Sequence, residues 1–177
     1  INMVKPLKGD RVCEIGCGWG GFAEHLAKNY DIKLDCITIS KKQFLFTQER
    51  IRRKKLSHKV KVKMMDYRNL KNKYDIIISI EMIEAVGEKY LNKYFNIIKE
   101  NLSSNGRAAI QAIVIKDELY NRYRTKEDFI QKYIFPGGFL PSIKCLNKFS
   151  SKSGLKIEKY HSYGSHYSST LQKWRES

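Results

Sequence analysis

Nowhere in the 177 residues is there an apolar run long enough to span a bilayer. Ile1 to Pro6 also lack the long apolar segment and the small-residue cleavage site of a signal peptide. A helical membrane protein is thereby disfavoured. One soluble domain over 1–177 is the expectation, because 42% hydrophobic residues suffice for one core. CxxC pairs are absent as well. The four cysteines, Cys13, Cys17, Cys36 and Cys145, are spaced for neither a disulfide framework nor a zinc site, so no metal is expected and the thiols read as cytosolic. Acidic residues are scarce, 18 against 34 basic ones, and the net charge of +16 implies an anionic partner: phospholipid headgroups, an acidic small molecule or nucleic acid. With no RNA-binding motif and no separate basic domain, nucleic acid ranks last. The basic residues are spread along the chain, and only Arg50 to Lys55 is a dense cluster. No internal repeat is present. The chain starts without Met and enters its first strand almost at once, so it reads as a piece of a longer protein.

What is present centres on Val12 to Phe22, a buried strand running through a glycine-rich turn into a helix. Gly16, Gly18 and Gly20 let the main chain approach a ligand with no Cβ in the way, and the following helix points its first N–H groups at the same place. A dinucleotide fold would use GxGxxG to seat a pyrophosphate; here the spacing is GxGxGG, and Glu14 lies two residues before the first glycine. A carboxylate there repels phosphate. It suits a cationic ligand bearing an amino acid, such as S-adenosylmethionine (SAM), with Cys17 and Trp19 completing the turn.

Along the chain, strands are expected at Arg11 to Ile15, Lys33 to Ile39, Lys59 to Met65, Tyr74 to Ile80 and Arg107 to Ile115. Helices are expected at Trp19 to Asn29, Lys41 to Lys55 with Ser40 as its cap, and Lys89 to Leu102, the last closed by Ser103 to Gly106. Strands alternating with helices at this spacing predict an α/β fold with a doubly wound, mainly parallel sheet, which binds ligands outside the carboxyl ends of its strands. Gly16 to Gly20, Thr38, Asp66 and Glu81 to Glu84 all fall there. Residues 1–115 form the cofactor-binding half and 116–177 the substrate side. In that second half, Lys116 to Arg124 reads as a polar loop, Thr125 to Tyr133 as a short helix and Phe135 to Ser142 as a rigid turn before another helix. Leu155 to His161 reads as one more strand, and Tyr167 opens a final helix.

The motifs together resemble one family, the cyclopropane-fatty-acyl-phospholipid synthases and the related mycolic acid cyclopropane synthases. The resemblance rests on Glu14 to Phe22, Ile37 to Ser40 with Gln43, Asp66 to Arg68, Ser79 to Gly87, Tyr133 to Ser142 and His166 to Trp174. It implies a Rossmann-like class I SAM-dependent methyltransferase fold. Gly16 and Gly18 would line the methionine and ribose of SAM, Thr38 and Ile39 with Gln43 the ribose side, and Asp66 and Tyr67 the adenine. Thr38 stands where many methyltransferases carry an acidic residue for the ribose diol, which makes Gln43 the stronger polar partner.

The resemblance further implies methylene transfer from SAM to the cis double bond of an unsaturated phospholipid acyl chain. A bicarbonate ion would serve as general base, held by Glu84, Gln111, the backbone of Ile113 and Tyr167. Gln111 departs from those members that carry His and keeps a donor without a titratable group. Glu81 is an alternative ligand-facing carboxylate. C-methylation of a lipid or small molecule without ring closure remains open on the same scaffold. The expected setting is the cytoplasmic face of the cell membrane, with basic residues, the 50–55 cluster among them, on anionic headgroups; an oligomer is compatible with the sequence. Members carry further sequence before the glycine turn, including a Cys at the bicarbonate site, and a final strand after the last helix. Without that strand the sheet is expected to keep an open slot and the piece to be unstable or prone to aggregate.

Overall fold

The computed structural model describes residues 1–126 and 129–176, with the side chains of Ser165 and Trp174 outside that description. Five strands pair in the order β3-β2-β1-β4-β5, and every pairing is parallel. They are β1 (Arg11–Ile15), β2 (Lys33–Thr38), β3 (Val60–Met64), β4 (Tyr74–Ile80) and β5 (Leu102–Gln111). The helices are α1 (Gly21–Asn29), α2 (Lys41–Arg53), α3 (Leu91–Asn101), α4 (Asp117–Thr125), α5 (Ile143–Lys152) and α6 (Gly164–Glu176).

Alternating strand residues divide the core between the two faces of the sheet, as a parallel sheet covered on both sides requires. Val12, Leu34, Cys36, Ile76 and Ile78 pack with Ala23, Leu26 and Ala27 of α1 and Ile51 of α2. On the opposite face Cys13, Ile15, Ile37 and Ile77 pack with Leu91, Tyr94, Phe95 and Ile98 of α3, over which lie Phe139, Cys145 and Phe149. Ser40 caps α2 by accepting from Gln43 N at 3.4 Å, and Ser142 caps α5 by accepting from Cys145 N at 3.3 Å. Each cap satisfies an N–H that its helix leaves without a partner.

The substrate side departs from expectation. Residues expected as a polar loop form α4, whose first turn carries Asp117 and Glu118 and whose last turn carries Arg122 and Arg124, charges placed to complement the helix dipole. In the helix expected at Thr125 to Tyr133, residues 127 and 128 lie outside the described residues, and Ile130–Ile134 form a π-helical turn. The fifth strand ends at Gln111, and beyond it Ile115 alone bridges Ser142. Leu155 to His161 is not a strand. In the described sheet β5 pairs with β4 alone, and its outer edge is not joined by that segment, which therefore has no ladder to make it a strand.

Candidate functional site

The glycine turn leaves β1 and is fixed by two amides on one carbonyl: Gly16 N and Cys17 N both donate to Ile37 O at 3.0 Å. Gly16, Gly18 and Gly20 all have positive φ, 76°, 52° and 75°, a region where only glycine is relaxed. Two of the three also have no room for a side chain. A Cβ on Gly16 would stand 2.7 Å from Met82 Cγ and one on Gly20 2.5 Å from Thr47 Cγ2, whereas one on Gly18 would meet nothing within 4 Å. Gly18 is thus the open face of the turn. Its carbonyl accepts from Thr47 Oγ1 at 3.0 Å, and that of Trp19 accepts from Arg50 Nη1 at 3.3 Å.

Glu14 sits beneath the turn, 3% exposed, accepting from Cys36 Sγ at 3.6 Å. Burial, with an electrostatic contribution from Cys17 adding to it, pushes its carboxyl up to about 8. At the end of β2, Thr38 donates through Oγ1 to Gln43 Oε1 at 2.8 Å. That bond uses the amide oxygen of Gln43 and leaves its N–H₂ donors for a ligand hydroxyl. Ile39, 76% exposed, and Trp19, 53% exposed, border the seat; Trp19 meets Phe46 edge-on at 5.3 Å. After β3, Asp66 accepts from Arg68 N and Nε, both at 2.9 Å, and these bonds hold its carboxyl below the usual range. Tyr67 packs edge-on against Tyr94 at 5.6 Å.

Met82 links this seat to a second cluster at the ends of β4 and β5. Glu84 Oε1 accepts from Ile113 N at 2.6 Å, while its Oε2 is buried with no hydrogen-bond partner. Burial, reinforced by the nearby Glu81, raises the Glu84 carboxyl despite the Ile113 amide. Glu81 Oε1 accepts from Gln111 Nε2 at 3.0 Å and from Tyr167 Oη at 3.3 Å. Residues from four places in the chain therefore meet here: the turn after β4, the last residue of β5, the segment beyond it, and α6. Glu84, Gln111, Ile113 and Tyr167 all lie in the cluster. The residue that joins Gln111 to Tyr167 is Glu81, whose backbone has φ 49°. Its joining role depends on the register that places Ile80 opposite Gln111, which no local pattern in the sequence displays.

The family model described as mycolic acid cyclopropane synthetase matches residues 3–177. The chain belongs to this family. Among its curated relatives, the cyclopropane-fatty-acyl-phospholipid synthase of Escherichia coli (strain K12) is 38% identical over 98% of this chain and 43% of that protein. The tuberculostearic acid methyltransferase UfaA1 of Mycobacterium tuberculosis is 35% identical over 99% of this chain and 41% of that protein. The chain thus spans less than half the length of these relatives. The cyclopropane synthase MmaA2 from Mycobacterium tuberculosis superposes with a TM-score of 0.86 over 97% of this chain and 64% of that one at 23% identity, a likeness of fold.

Among the described residues of this cyclopropane synthetase family member, no group of three or more His, Cys, Asp or Glu is placed to hold a metal, and no helix is long and apolar enough to cross a membrane. The 50–55 cluster is largely engaged within the chain. Arg50 Nε bonds Glu24 Oε2 at 2.6 Å, and Arg52 and Arg53 each bond Glu49 at 2.7 Å.

Proposed function

We propose that the protein transfers a methylene group from SAM to the cis double bond of an unsaturated phospholipid acyl chain, forming a cyclopropane. The observation that carries this reading is the meeting of Glu84, Gln111, Ile113 and Tyr167 at one spot beside Met82, which itself packs against the glycine turn. A methyl donor seated on the turn would face that cluster.

The residues fit SAM. Gly18 leaves its side of the turn open, the Gln43 amide has donors for the ribose diol, and buried Glu14 supplies a carboxyl for the ammonium. When bound, SAM supplies an electrophilic methyl group. The chain's part is to hold the double bond against it, stabilise the positive charge that develops on the acyl chain, and remove a proton so that the ring closes. A carboxylate held in place beside the acyl chain stabilises such a cation electrostatically.

Bicarbonate fits less well. Its expected donors, Ile113 N, Gln111 Nε2 and Tyr167 Oη, are satisfied by Glu84 and Glu81, and a further anion would lie against both carboxyl groups.

On the substrate side, Phe129, Ile130, Tyr133, Ile134 and Phe135 are all exposed. A cleft of about 550 Å³ lined by Val114, Ile115, Lys116, Asp117, Glu118 and Ile143 adjoins Ile113. The exposed apolar set suits an apolar substrate presented at a membrane surface, and the cleft joins an apolar side to a charged one. The UfaA1 likeness favours a second reading, methylation of the same lipid without ring closure. Incubating the full-length protein with SAM and vesicles of an unsaturated phospholipid separates the two. Cyclopropanation adds one methylene that resists mild hydrogenation, a product that still takes up hydrogen means methylation alone, and unchanged lipid sets both readings aside.

A further inference from the structure

We infer that Glu81 is the general base of this site, its carboxylate occupying the donor cradle that a bicarbonate ion would otherwise fill. The inference rests on the methylene-transfer reading above and names the group that takes the proton. Two observations carry it. Glu81 Oε1 accepts from both Gln111 Nε2 at 3.0 Å and Tyr167 Oη at 3.3 Å, so an acidic side chain of the protein already sits where those two donors converge. Its backbone also has φ 49°, a left-handed conformation that glycine adopts freely and glutamate does not. The main chain is pinned there by Glu81 N donating to Gln111 O at 3.0 Å. Strain of this kind persists where the surrounding structure enforces it, and it clusters at functional sites.

The groups facing Glu81 are Glu84 from the turn after β4, Gln111 from β5 and Tyr167 from α6. No cation forms an ion pair with Glu81 among the described residues. The carboxylate is therefore positioned by neutral donors and not neutralised by a salt bridge.

Once the methyl group has joined the acyl chain, the adjacent chain carbon is cationic and the C–H bonds of the added carbon are acidic. The proton passes to a Glu81 oxygen, and the C–H electron pair becomes the C–C bond that closes the three-membered ring and quenches the cation. Glu81 is left as the neutral acid. It is exposed, so water can take the proton and restore the base.

The test compares full-length wild type with Glu81→Gln and Glu81→Gly on unsaturated phospholipid vesicles, in buffer freed of carbon dioxide and then with added bicarbonate. Wild type is expected to work equally well in both. Each variant should lose about 100-fold or more without bicarbonate, the range assigned to a general base. The glycine variant, with its cradle vacated, should recover at least about tenfold when bicarbonate is supplied. Because glycine relaxes the backbone, its thermal midpoint and SAM affinity should not fall, which separates lost chemistry from lost folding. A wild type that needs bicarbonate, or a glycine variant that keeps its rate without it, overturns the inference. A second measurement needs no turnover: ¹³C-bicarbonate should broaden on adding the glycine variant and not on adding wild type. Broadening by wild type, or by neither protein, overturns the assignment even if no lipid product forms, whereas failure of methylene transfer alone counts against the reading of the reaction.

Discussion

Glu14 carries a distinct pH signature. With its folded-state carboxyl at about 8, against an ordinary value of 4.5, the folded protein binds a proton that the unfolded chain has already released. Stability from this group is full below the unfolded value and is lost as pH rises through about 8. Denaturant titrations of wild type should show stability falling across that window by an amount on the order of a few kcal/mol. Glu14→Gln should remove the slope; an unchanged slope would place its origin elsewhere. Binding of cationic SAM should ionise Glu14, so calorimetry at neutral pH in buffers of different ionisation enthalpy should register proton release, absent in the variant.

Glu84, raised by burial in the same direction, stays neutral to higher pH than an ordinary glutamate. Two ionised carboxyl groups side by side oppose each other, so activity should decline on the alkaline side as Glu84 ionises. Glu84→Gln, which still accepts from Ile113 N, should flatten that limb in a pH–rate profile, and a limb left in place would contradict the assignment. The glycine spacing and Glu14 stand out in the local chain order, whereas Glu84 enters through the resemblance, with Glu81 beside it as an alternative. The contact behind the role proposed for Glu81 is not legible there, because it is a hydrogen bond to Gln111, thirty residues away.

The elements differ in how openly they declare themselves. β1, β2 and β4 are buried runs bounded by turn residues, and their bounds in the structure agree with those expected to within one residue. α4 is hard to see in the sequence because six of its nine residues are polar and none is buried; Tyr120 and Tyr123, which pack against the core, make an apolar stripe too short to stand out. Leu155 to His161 has the alternation of a strand, yet alternation becomes a strand only where a neighbour supplies hydrogen bonds. The strand–turn–helix unit is the least tolerant element. Gly16→Ala sets a Cβ 2.7 Å from Met82 Cγ at φ 76°, where strain and overlap together cost about 1–3 kcal/mol. A lowered thermal midpoint and at least about tenfold weaker SAM binding are expected, the affinity loss corresponding to about 1.4 kcal/mol. Calorimetry on the variant checks both, and a midpoint and affinity equal to wild type would mean that the turn is not under the constraint described.

At the scale of the whole molecule, the charge of +16 is already net of the acidic residues, but the 50–55 cluster holds less of it than its sequence suggests. Arg50, Arg52 and Arg53 are engaged with Glu24 and Glu49, and exposed pairs of this sort hold their charges together only weakly. The sheet order brings the two halves of the site to one edge: β1 and β2 carry the cofactor seat, β4 and β5 the carboxyl cluster, and the parallel arrangement sends all four carboxyl ends the same way. The central claim is that a proton leaves the transferred carbon at the Glu81 and Glu84 cluster. Supplying the full-length protein with SAM bearing a trideuterated methyl group, and weighing the lipid product, tests it most directly. Ring closure retains two of the three deuterium atoms in a product that resists hydrogenation. A product that keeps all three has lost no proton from that carbon, and would contradict the claim.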